Sequence, residues 1–154
     1  MTLTTLAFYL GTKAENPNNS RFIDHLVCWW TDSRFSHVEF VESIDGLTAT
    51  TWSASQRDGG VRQTTIDLST GRWVLAGIPA DHDMILEWFK DHKGEGYDWL
   101  GVMSFVIALI PDHRTHHWYC SKAISAAAGW KYTHHTPQDL WSVGVEIPLP
   151  TAAK

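Results

Sequence analysis

The 154-residue chain holds only two cysteines, Cys28 and Cys120, and neither belongs to a metal-type Cys-x-x-Cys pair. Two thiols so placed cannot build a disulfide framework, so the chain reads as made for a reducing compartment. An excess of basic charge is also missing: 12 Lys and Arg stand against 17 Asp and Glu, for a net charge of −5. DNA and RNA normally require a basic face, so nucleic acid is not an expected partner. Long apolar runs are absent as well. The longest, Leu100 to Ile110, includes Gly101 and Ser104 and falls well short of the ~20 residues that span a bilayer. The stretch from Met1 to Leu10 has no basic segment and is too polar for a signal peptide, so a cytoplasmic protein without a transmembrane segment is expected. There is no low-complexity tract and no internal repeat.

What is present suits one domain over residues 1–154, with 44% apolar and 19% charged residues. The oddity is nine tryptophans. Each offers rigid apolar area and one donor, which serves a core, a groove or a protein interface equally. By position, Trp29, Trp30, Trp88 and Trp99 fit a core, whereas Trp52, Trp118, Trp130 and Trp141 fit a groove as readily.

A first strand is expected over Thr5 to Gly11, then a loop from Lys13 to Ser20. A helix capped by Ser20 runs to about Thr31, with Cys28 packed in it and Asp24 and His25 on its polar side. Phe35 to Glu42 reads as a strand ended by Asp45-Gly46, and strands follow over Leu47 to Ala54, Val61 to Leu68 and Trp73 to Ile78. Short turns between consecutive strands imply an antiparallel sheet or partial barrel in an α+β fold. After Pro79 the period becomes helical, with Asp81 or Asp83 near the start and Gly94 past the end. Gly94 to Trp99 is expected as a loop, Leu100 to Ile110 as an apolar helix, and Thr136 to Lys154 as a tail with at most one edge strand, Val143 to Ile147.

The chemistry gathers on Cys120. Trp118-Tyr119-Cys120-Ser121 opens a short helix of small residues. Unpaired N–H groups and the positive dipole end of a first helical turn favour thiolate over thiol and suit a developing oxyanion. A thiol nucleophile needs a base, and the base needs something to hold its ring. His37 is the candidate base, since a strand histidine sits on rigid scaffold. Strand alternation places His37, Glu39 and Val41 on one face and Val38, Phe40 and Glu42 on the other. The third member is open between Glu39, about 7 Å along the same face, and Ser53 on the neighbouring strand. Glu39 would supply charge; Ser53 would supply orientation only.

Phe35-Ser36-His37-Val38, then Gly96-Tyr97-Asp98, then Tyr119-Cys120-Ser121 resembles the circularly permuted branch of the NlpC-type papain-like cysteine hydrolases, the group that includes YiiX-like proteins and lecithin retinol acyltransferase. The resemblance spans about Leu6 to Gly129. It implies a permuted papain-like fold with His37 as general base, Cys120 as nucleophile and Tyr97 lining the cleft or assisting the oxyanion. The family often carries a glutamate or histidine on the strand after the histidine, and Thr51-Trp52-Ser53-Ala54 has neither, which leaves Ser53 and Trp52 as third or cleft residues there. Where relatives usually show a small residue two positions after the histidine, this chain has Glu39. The substrate class implied is a peptidoglycan-type amide first and a lipid or other acyl compound second. Without an export signal, a wall substrate would be reached by lysis, through a protein partner or larger assembly, or by virus-type delivery.

Two other classes compete. His116-His117 and His134-His135 invite metal binding, with His116 or His117 joining Cys120 on zinc. Adjacent histidines on extended chain point to opposite faces, however, and no standard zinc spacing occurs, so no metal and no cofactor are expected. A non-enzymatic binding protein with a degenerate site would use the tryptophans as contacts.

Overall fold

The computed structural model describes residues 2–10, 34–104, 116–131 and 133–151. The expected helix from Ser20 to Thr31, with Cys28, Trp29 and Trp30, and the part of the apolar run beyond residue 104 lie outside the described residues. The fold is mixed α and β. Eight strands form one sheet: β1 (Leu3–Leu10), β2 (Phe35–Asp45), β3 (Thr48–Ser55), β4 (Gly60–Asp67), β5 (Trp73–Pro79), β6 (Gly96–Tyr97), β7 (His117–Trp118) and β8 (Val145–Ile147). Their spatial order is β7-β6-β4-β3-β2-β1-β5-β8. Every pairing is antiparallel except β6 with β7. Four helices appear among the described residues: α1 (His82–Asp91), α2 (Trp99–Ser104), α3 (Cys120–Ala127) and α4 (Pro137–Ser142). None is long and apolar enough to cross a membrane.

Alternation along the central strands sorts residues onto two faces. Leu6, Phe8, Val38, Phe40, Trp52 and Ile78 enter one core with Ile85 and Phe89 of α1, Ala123 and Ile124 of α3, and Leu140 of α4. Phe40 stacks flat on Phe89 at 5.8 Å and 2°, a geometry worth about 1 kcal/mol beyond its area burial. Ala7, Val41, Ala49, Ile66, Leu68 and Leu75 form a smaller cluster apart from it. Asp81 caps α1 by accepting from the Met84 N–H at 2.9 Å, which settles the choice between the two aspartates.

Several expectations are corrected. Trp52 is 3% exposed inside the main core, with its indole N–H donated to Glu42 at 2.7 Å, and lines no groove. Trp118, Trp130 and Trp141 also pack against that core, whereas Trp99 is 47% exposed. The tail contains α4, begun by a capping box between Thr136 and Asp139 with Pro137 in its first turn. Proline starts a helix as readily as it ends one, because the first-turn N–H has no intrahelical partner. Within the expected loop at Gly94 to Trp99, Gly96 and Tyr97 join the sheet, Gly96 pairing with Gly60 and His117. That approach needs glycine: a Cβ on Gly60 would overlap the Glu95 carbonyl oxygen.

Candidate active site

Cys120 is the first residue of α3. Tyr119 precedes it in extended conformation, with no side-chain cap on the helix, so the first-turn N–H groups stay available to other acceptors. The thiol is free and mostly buried, at 7% exposure. α3 packs against β2 and β3, and this brings the sulfur to His37. The sulfur is hydrogen-bonded to the imidazole and receives backbone N–H groups from Val38 and Ser121.

His37 is 23% exposed, and its Nε2 lies 3.0 Å from Glu39 Oε1. With Nε2 committed to the carboxylate, Nδ1 is the ring nitrogen left for sulfur. Glu39 is 2% exposed and fully engaged. Its Oε1 also accepts from Arg62 NH2 at 2.7 Å, and its Oε2 accepts from Arg62 NH1 at 3.0 Å and Thr51 Oγ1 at 2.5 Å. Arg62 Nε in turn donates to Asp58 Oδ2 at 2.8 Å. Charge therefore alternates along a chain from the sulfur through His37, Glu39 and Arg62 to Asp58.

Burial opposes each charge in this chain, and the neighbours reverse it. Desolvation pushes the His37 imidazole down, yet the Cys120 thiolate and the Glu39 carboxylate raise it from 6.5 to about 10. Burial pushes the Cys120 thiol up, but the facing imidazolium and the two backbone N–H groups hold it below its ordinary value. Burial likewise raises Glu39, and the hydrogen bonds and charges of His37 and Arg62 bring it from 4.5 down to about 2. Each member of the Cys120–His37 pair therefore favours the ionised form of the other.

Cys120, His37 and Glu39 line one cleft of about 410 Å³. Tyr9 and Trp73, with ring centres 5.0 Å apart, make an aromatic side of it, and Tyr97 and Val102 contribute elsewhere. Ser36 also lines it; its hydroxyl is the single buried side-chain polar atom without a hydrogen-bond partner among the described residues, so it is open to a bound group.

Of the residues singled out in the sequence, Cys120, His37, Glu39 and Tyr97 come together here. Ser53 does not hold His37: it is fully buried and donates to the Val38 carbonyl at 2.8 Å. Trp52 lies in the core. Sequence reading passed over Arg62, although counting outward from the turn at Asp58-Gly59 pairs Ser55 with Gly60 and sets Arg62 opposite Ser53. It also passed over the buried pair of Lys122 Nζ and Asp98 Oδ2, 2.7 Å apart, which ties the start of α2 to α3. Gly101 makes room for this pair, since a Cβ there would lie 2.6 Å from Asp98 Oδ2.

The histidine pairs have other engagements. His116 Nδ1 lies 2.8 Å from Glu95, His134 Nδ1 lies 3.3 Å from the Tyr119 hydroxyl, and His135 Nδ1 lies 3.0 Å from Ser125 Oγ. No group of three or more His, Cys, Asp or Glu able to hold a metal ion occurs among the described residues. No protein-family model matches the chain, and no curated protein matches it.

Proposed function

We propose that the protein is a cysteine hydrolase acting on an amide bond through an acyl-enzyme, on a permuted papain-like frame. One observation carries this reading: a helix-start thiol hydrogen-bonded to an imidazole whose far nitrogen meets a buried carboxylate, all lining an open cleft. Cys120 attacks the acyl carbon as thiolate, and the Cys120 backbone N–H helps hold the oxyanion. An amine leaves only once protonated, and the imidazolium of His37 is the acid it needs. This favours an amide over an activated ester as the natural substrate. A peptidoglycan peptide is the amide class that the resemblance to NlpC-type hydrolases suggests.

The covalent intermediate is the test. Incubation with a panel of acyl donors, including peptidoglycan fragments and simple peptide amides, followed by acid quench and intact-mass analysis, is expected to show one acyl group on Cys120. Cys120→Ser should abolish the thioester, and His37→Ala should lower its rate of formation by about 10²-fold or more. Turnover that persists unchanged in Cys120→Ser would overturn the assignment.

A further inference from the structure

Glu39 is held by two cations, and only one of them keeps its charge through a catalytic cycle. In acylation as read above, on which this inference rests, the sulfur bonds the acyl carbon, the C–N bond breaks and the His37 proton departs with the amine. The imidazole is then neutral, and the buried Glu39 retains Arg62 as its one cationic partner, forked onto both oxygens. Arginine does not deprotonate in proteins.

A neutral imidazole can take a proton from water only as one tautomer, with hydrogen on Nε2 toward Glu39 and the lone pair on Nδ1 toward the cleft. An ionised carboxylate enforces that tautomer because it accepts only. A protonated Glu39 would donate to Nε2 instead and put the ring hydrogen on Nδ1, where it blocks the base. We infer that Arg62 is a positioning residue for the hydrolytic half of the reaction: it keeps Glu39 ionised while His37 is neutral, and so keeps His37 in the tautomer that activates water. In that step a water proton moves to Nδ1 and the water oxygen bonds the acyl carbon. The C–S bond breaks, and Cys120 leaves as thiolate beside a restored imidazolium.

The sheet is built for this reach. β3 lies between Arg62 on β4 and Glu39 on β2, so the guanidinium crosses about 10 Å, two strand spacings. Ser53 stands opposite Arg62 and is small, with its hydroxyl turned to the Val38 carbonyl. Asp58 holds the guanidinium from the other side. Lysine would bring the charge without the fork.

p-Nitrophenyl acetate isolates the step, because its leaving group needs no proton. Arg62→Met is expected to give a nitrophenolate burst near one equivalent, then a steady rate at least about 10-fold below native, with acetyl thioester accumulating on Cys120. Its iodoacetamide labelling at pH 8 should stay near the native rate, which a merely unfolding variant would not do. Raising the pH should restore the steady rate as Glu39 re-ionises. Arg62→Lys should move the same way by less, and it decides the matter if Arg62→Met does not fold. Native steady rates in the variants, or burst and steady rate slowed equally, would overturn the role of Arg62 alone. Absence of any thioester in the native protein would overturn the hydrolase reading and this inference with it.

Discussion

Glu39 is the residue on which the site turns. A carboxylate 2% exposed is tolerated only because four donor contacts saturate it, and such burial is costly by several kcal/mol when a partner is removed. Its low pKa also links it to stability. The carboxyl titrates near 4.5 unfolded and about 2 folded, so its contribution is complete above pH 4.5 and is lost as pH falls toward 2, an amount of about 3 kcal/mol. Glu39→Gln keeps the shape and removes the charge. It should lower turnover by about 10²-fold, through a weaker hold on the imidazolium, and flatten the fall in urea stability between pH 4.5 and 2. An acid limb as steep as that of the native protein would exclude this assignment of charge. The adjacency of His37 and Glu39 was legible from strand alternation alone. The choice between Glu39 and Ser53 was not, because both lie on the same face and only the hydrogen bond of Ser53 to the Val38 carbonyl separates them.

At the scale of elements, the cleft depends on short pieces that local sequence describes poorly. β6 is two residues long, and its place is set by backbone contact with β4: Val61 N–H donates to the Glu95 carbonyl and Tyr97 N–H to the Gly59 carbonyl. No hydrophobic period exists over two residues, so this strand reads as loop. Gly60→Ala would drive a methyl into the Glu95 carbonyl. The expected cost is about 3 kcal/mol, with Tyr97 displaced from the cleft; thermal unfolding and the solvent accessibility of Tyr97 would register both, and an unchanged midpoint would show that β6 pairing is dispensable. By contrast, α4 carried a readable signal. Thr136-Pro137-Gln138-Asp139 has the spacing of a capping box with proline in the first turn, and proline-rich composition masked it. Strands β1 to β5 were legible to within a few residues because turn residues bound them and β-branched or aromatic residues fill them.

The whole molecule brings together groups that the chain keeps apart. β2 and α3 are distant in sequence, and their contact places the Cys120 sulfur against His37. Sequence order and residue type could suggest that meeting, but long-range packing alone creates it, as it creates the Arg62 fork across three strands. The pair also shapes the pH response of the fold. His37, raised to about 10, stabilises fully below its ordinary 6.5, a contribution lost as pH rises toward 10. Cys120, lowered from 9.0, stabilises fully above that value and loses the effect as pH falls. The two slopes have opposite signs and so offset each other between the two ordinary values. Catalysis as proposed requires that ion pair in the folded protein. Its most direct test is the rate of Cys120 alkylation by iodoacetamide across pH, in the native protein and in His37→Ala. The native thiol is expected to react with a midpoint well below the unperturbed value of ~8.5, and His37→Ala to return the midpoint to that value or above. Alkylation only on unfolding, or the same midpoint in both proteins, would contradict the account.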